Sequence, residues 1–119
     1  MPANDGTRLV RNHFDWDIFK QAYQSSMQVF RLTKTFPLEE RYSLTDQVRR
    51  SSRGVCANLA EAWRRRRYEG MFLMRLNDAE AEAAETQTWL AFAVSCEYVS
   101  REEVADLVED DGDAVCFQA

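Results

Sequence analysis

The stretch FPLEERYSLTDQVRRSSRGVCANLAEAWRRRR, Phe36–Arg67, decides the fold. Phe36-Pro37 stops whatever helix precedes it, because the residue before a proline is pushed out of the α region. Pro37–Tyr42 reads as a connector with room for one helical turn. Thr45 then stands as an N-cap, with Asp46 favourable in the first turn. Leu44, Val48, Ser52, Val55, Leu59 and Ala62 recur at three- and four-residue steps, with Cys56 and Trp63 beside them. That spacing makes one apolar stripe on a helix. The helix exits through Arg64–Arg67.

Working outward, a helix is predicted from Asp15, its N-cap, to Thr35. Its face is Phe19, Ala22, Tyr23, Ser26, Phe30 and Thr33, widened by Trp16 and Val29. A third helix is predicted from Tyr68 to Tyr98. Phe72, Leu76, Ala79, Ala83, Thr86, Leu90 and Ala93 follow a strict alternation of four- and three-residue steps, the seam of a left-handed bundle. Ser100-Arg101-Glu102-Glu103 is a capping box that opens a fourth helix, with Val104, Leu107, Val108 and Val115 as its stripe. Asp111 and Gly112 weaken its end. Short connections favour antiparallel neighbours. The expectation is an all-α, up-down antiparallel four-helix bundle over residues 15–116, with tails at 1–14 and 117–119.

The bulk numbers agree. A chain of 119 residues is one domain with enough length for a core. Four glycines and two prolines disfavour many-stranded β folds. Cys56, Cys96 and Cys116 are odd in number and widely spaced, so they read as reduced thiols of a cytoplasmic protein. The N-terminus lacks the apolar core of a signal peptide, and the weakly polar run Thr88–Cys96 is too short for a membrane span. The net charge of −5 is uneven. Residues 1–75 carry 14 Lys/Arg against 8 Asp/Glu, a net of +6, and residues 76–119 carry a net of −11. Two readings follow: solvated helix faces of both signs, or an anion site under an acidic average.

The central helix resembles a known family. Phe36-Pro37, Glu40, Tyr42, Leu44-Thr45, Gln47-Val48-Arg49-Arg50, Asn58-Leu59-Ala60-Glu61 and Arg65-Arg66 carry the likeness. Phe72 and an Ala-rich, Glu-bearing stretch add to it. It is to the four-helix bundle proteins encoded in intervening sequences of bacterial large-subunit rRNA genes, often labelled ribosomal protein-like. These are related to accessory subunits of diversity-generating retroelements. The likeness covers roughly residues 14–110. It implies a homo-oligomer, a pentameric ring, and association with nucleic acid or a ribonucleoprotein. Cys56 stands where the family usually has Pro, so a straighter helix is expected here. Ala62 stands where Gly is usual, and Arg53 where an apolar or small residue is common.

Arg49, Arg50, Arg53, Arg64, Arg65, Arg66, Arg67 and Arg75 lie within 27 positions and are the candidate phosphate contacts. The structural alternative is that they cap helix ends and pair with carboxylates. Asn58 and Glu61 are candidates for a polar pair in the core; Glu61 is equally placed to pair with Arg65 four residues on. Trp16, Trp63 and Trp89 read as core or interface anchors, with Trp63 the one to test for base stacking. Catalysis finds no support. His13 is the only histidine, and there is no Glu-x-x-His pair, P-loop or GxSxG. No cofactor and no metal are expected. The preferred reading is a non-enzymatic homo-oligomeric scaffold binding RNA or DNA backbone. The alternative is a protein–protein adaptor whose charged surfaces serve self-assembly.

Overall fold

The structure is a computed structural model and describes residues 9–108. Three helices make up the fold: α1 (Asp17–Thr33), α2 (Leu44–Arg64) and α3 (Glu69–Ser95). There is no strand among the described residues. Helix α2 is the central element, packing on α1 along one side and more extensively on α3 along the other.

The apolar stripe of α2 is realised in full: Leu44, Val48, Ser52, Val55, Leu59 and Ala62 are all buried. It is uninterrupted through Cys56, as expected where proline is missing. On α3, Ala79, Ala83, Thr86, Leu90 and Ala93 are buried, while Phe72 and Leu76 are partly covered. The face of α1 is rotated from the expectation. Phe19, Ala22, Ser26, Val29 and Thr33 are buried, and Tyr23 is 51% exposed. Val29, read as the margin, is the centre.

Two adjacent serines fasten α2 to both neighbours. Ser52 Oγ lies 3.1 Å from Ser26 Oγ of α1, and Ser51 Oγ lies 2.7 Å from Thr86 Oγ1 of α3. Successive residues point about 100° apart on a helix, so one dipeptide reaches two partners. Ser52 also donates to the Arg49 carbonyl, and the Val48 and Glu82 carbonyls lie within reach of Ser51 and Thr86; with one proton on each hydroxyl, one of Ser51 and Thr86 donates to the other, which donates to its own helix. Small side chains here let the backbones approach, and the hydroxyls avoid an unsatisfied burial cost of about 1–3 kcal/mol.

Helix starts differ from the sequence reading. Asp15 is not the N-cap of α1. It closes a 3-10 turn, His13–Asp15, whose cap is Asn12, and its carboxylate accepts the Arg11 N–H at 3.0 Å. The helix begins after Trp16, whose ring lies against Trp63 and Phe72 at the far end of α2 and the start of α3. Thr45 is not the cap of α2 but is buried inside it. The Glu40 carboxylate, one turn earlier, accepts the Leu44 N–H at 3.1 Å and the Ser43 hydroxyl at 2.6 Å. Its other oxygen accepts the Tyr98 hydroxyl at 2.7 Å. These bonds hold the Glu40 carboxyl below the usual carboxylate range, Ser43 first, then Tyr98 and the Leu44 N–H. They push the Tyr98 phenol up to about 12.

Helix α3 stops three residues short of the expected Tyr98. Glu97 sits in the left-handed region at φ 64°. The Tyr98 N–H bonds the Ala93 carbonyl and the Glu97 N–H that of Val94, a Schellman stop. The chain then turns back and buries Val99, Val104 and Leu107 on the core.

The fourth helix needs correction. The capping box forms, with Glu103 Oε1 accepting the Ser100 N–H at 2.7 Å and Ser100 Oγ accepting that of Glu103 at 3.1 Å. Only a 3-10 turn, Glu102–Val104, follows it. The i→i+3 bonds persist to Leu107, and among the described residues Val104 and Leu107 are buried and Val108 partly covered without an α-helix. The rest of the predicted stripe, including Val115, lies outside the described residues, as does Cys116. Cys56 and Cys96 form no disulfide among the described residues. No described helix is long and apolar enough to cross a membrane.

Candidate nucleic-acid interface

The stripe of α2 opposite the core is Asp46, Gln47, Arg50, Arg53, Ala57, Glu61 and Arg64, all exposed. The same 3.6-residue repeat that buries Val48, Val55 and Leu59 forces this outer line. Arg53 and Arg64 are three turns apart, about 16 Å along the axis. The turn Arg65–Tyr68 follows at once, and Arg66 and Arg67 are exposed on it.

The eight arginines do not act alike. Arg49 turns toward α1, where its Nε donates to Thr33 Oγ1 at 2.8 Å and its guanidinium lies 4.8 Å from the Phe30 ring centre. It is a brace between α1 and α2. Arg75 reaches from α3 to Asn58 Oδ1 of α2 at 3.2 Å and pairs with Asp78 at 3.6 Å. Arg65 pairs with Glu61 at 3.6 Å. The Arg66 guanidinium lies over the Trp63 ring, 4.1 Å from its centre, and donates to the Trp63 carbonyl at 2.9 Å. Arg50 faces the field of Glu82. Arg53, Arg64 and Arg67 are exposed and make no hydrogen bond or ion pair among the described residues. The part of the cluster open to an anion is therefore Arg50, Arg53, Arg64 and Arg67.

Asn58 and Glu61 do not form a polar pair in the core. Asn58 Nδ2 donates to the Gly54 carbonyl at 3.0 Å, and its oxygen accepts from Arg75. The Glu61 side chain is 48% exposed, because it projects about 200° around the helix from Leu59. Its partner is Arg65, the intrahelical reading.

One feature of this region was missed in the sequence. A Cβ built on Gly54 would stand 2.7 Å from Glu82 Cδ and 2.8 Å from its Oε2. The glycine leaves a notch on α2 that the Glu82 carboxylate of α3 fills. Partial burial raises that carboxyl above its ordinary range; Glu85 adds to the rise, the Arg50 charge opposes it, and Asp78 adds a little more. A glycine in a helix interior is the signal that could have found it. The neighbouring α3 face, with Asp78 and Glu85 exposed on either side of Glu82, is acidic. A basic line on α2 thus runs beside an acidic one on α3. The described residues contain no group of three or more His, Cys, Asp or Glu side chains able to hold a metal ion.

A family model described as 23S rRNA-intervening sequence protein matches residues 15–111. No curated protein and no solved structure matches the chain.

Proposed function

Since the chain belongs to the 23S rRNA-intervening sequence protein family, we propose that it is a non-enzymatic cytosolic scaffold that holds nucleic-acid backbone, RNA foremost, along the outer arginines of α2. Arg50, Arg53, Arg64 and Arg67 contact phosphate. The chain works as a homo-oligomer, a ring of five copies, which repeats this line as a basic band. The observation that carries the reading is the state of Arg53, Arg64 and Arg67: solvent-exposed guanidinium groups with no intramolecular partner among the described residues. Such groups give binding that is strong at low salt and insensitive to base sequence. The experiment is a titration of labelled RNA with the oligomer of verified mass at low salt. Saturable binding that Arg64→Gln/Arg67→Gln weakens supports the proposal, and no binding refutes it.

A second reading, a protein–protein adaptor, draws on a different observation. Tyr42, Phe92 and Cys96 are exposed around a groove of about 380 Å³ that Trp89 also lines. The buried Trp89 indole N–H has no hydrogen-bond partner among the described residues. Exposed aromatic surface of this kind suits a protein neighbour. An intact oligomer that ignores RNA but captures another protein would favour it.

A further inference from the structure

Two flat surfaces stand at the α2–α3 turn, among the arginines. Tyr68 is 63% exposed, yet its backbone is fixed at both ends. Its N–H bonds the Arg65 carbonyl at 2.9 Å and its own carbonyl accepts the Phe72 N–H at 2.9 Å. The Arg66 guanidinium is exposed and equally fixed. Trp63 lies behind it at 4.1 Å, and the Trp63 carbonyl holds its Nη1 at 2.9 Å. Trp63 is itself backed by Trp16, with ring centres 5.8 Å apart, and Trp16 by Phe72 at 6.3 Å. The aromatic cluster packs this end of the fold, and the exposed Arg66 guanidinium sits over it. Arg64 and Arg67 flank it in sequence, exposed and without a partner among the described residues.

We infer that this turn takes an unpaired base, so that the nucleic acid held by the protein is single-stranded or looped rather than duplex. The inference rests on the backbone-binding reading above. Its ground is chemical. Phosphate contact alone needs charge; it does not need an exposed phenol ring or a guanidinium held over an indole. Unpaired bases stack on aromatic rings and on arginine planes, and every base has such a face. In a duplex those faces are covered by neighbouring base pairs. A guanidinium already held by the Trp63 carbonyl and ring also costs little to immobilise on binding. Arg64 and Arg67 then take the phosphates on either side of the stacked base.

The test compares a single-stranded RNA with a duplex RNA of equal length, each labelled, by fluorescence anisotropy at one low salt concentration. Tyr68→Ala, Tyr68→Phe and Arg66→Lys are measured beside the unmodified protein. Both positions are exposed, and circular dichroism checks that the helices persist. The single strand is expected to bind more tightly. Tyr68→Ala weakens it by about 5- to 100-fold, Arg66→Lys weakens it while keeping the charge, and Tyr68→Phe leaves it unchanged. Neither Tyr68→Ala nor Arg66→Lys alters duplex binding by the same factor. Equal affinity for both probes, or loss of both together in Tyr68→Ala, overturns this inference and leaves backbone binding standing. Failure of the unmodified protein to bind either probe overturns both.

Discussion

Substituting Gly54 by alanine separates two opposing effects that the structure places at one residue. Gly54 lies in the interior of α2, where alanine is favoured by about 0.8–1 kcal/mol. The new methyl would meet the Glu82 carboxylate at 2.7–2.8 Å, too close to keep. The obstacle is the far end of a flexible side chain, so Glu82 swings out rather than α2 moving. It regains hydration and loses the attraction of Arg50, a partly screened pair worth about 0.2–1 kcal/mol. Gly54→Ala should therefore stabilise the protein by only about 0–0.5 kcal/mol. In a Glu82→Ala background the notch is empty, and the full gain of about 1 kcal/mol returns. The coupling between the sites is then about 0.5–1 kcal/mol. Urea unfolding of the four proteins of the cycle, at one fixed concentration, measures it; by heat it corresponds to roughly 3–6 °C per kcal/mol. An equal gain in both backgrounds would refute the seating of Glu82 over Gly54.

Glu97 holds a left-handed conformation without glycine's freedom. Glu97→Gly should raise the urea midpoint by an amount equivalent to about 0.5–1 kcal/mol. Ser51 is 3% exposed between α2 and α3. Ser51→Ala should cost about 0.5–1.5 kcal/mol in the same assay, and Ser51→Val about 1–3 kcal/mol through overpacking. Glu40 has a depressed carboxyl, so its contribution is present above the ordinary carboxylate range and is lost as pH falls through its folded value. Stability against acid should fall less steeply in Glu40→Gln. Tyr98 is raised from 10.0 to about 12, so its contribution is full below about pH 10 and is lost as pH climbs toward 12. Tyrosinate absorbance should show a late step that Tyr98→Phe removes and Glu40→Gln shifts to lower pH.

Much of the fold was legible because burial follows period. The stripe of α2 and the alanine seam of α3 needed only the 3.6-residue repeat, and both are buried where the spacing placed them. Helix starts were less legible. Thr45 looked like a cap, but Glu40, four residues before Leu44, does that work from another turn. Sequence spacing does not show that a carboxylate will fold back. The fourth helix failed for a related reason. Its capping box is local and formed; its continuation depended on a short stripe that the core takes up in a 3-10 turn. At the candidate interface, the cluster of arginines was visible as composition, but its division was not. Arg49, Arg66 and Arg75 are engaged by Thr33, Trp63 and Asn58. The partners of Arg49 and Arg75 come from other helices and are brought in only by packing.

Phosphate held by the exposed arginines of α2 and its turn would leave its mark on the salt dependence of binding. The most direct measurement is the salt dependence of RNA affinity, as the slope of log K against log salt, for the unmodified oligomer and for a variant with Arg50, Arg53, Arg64 and Arg67 changed to glutamine. Each lost phosphate contact lowers the slope by about 0.7 for a single strand. A steep slope is expected that flattens in the fourfold variant by about 2–3 per chain engaged, with Arg49→Gln instead costing stability. An unchanged slope in the fourfold variant would contradict it.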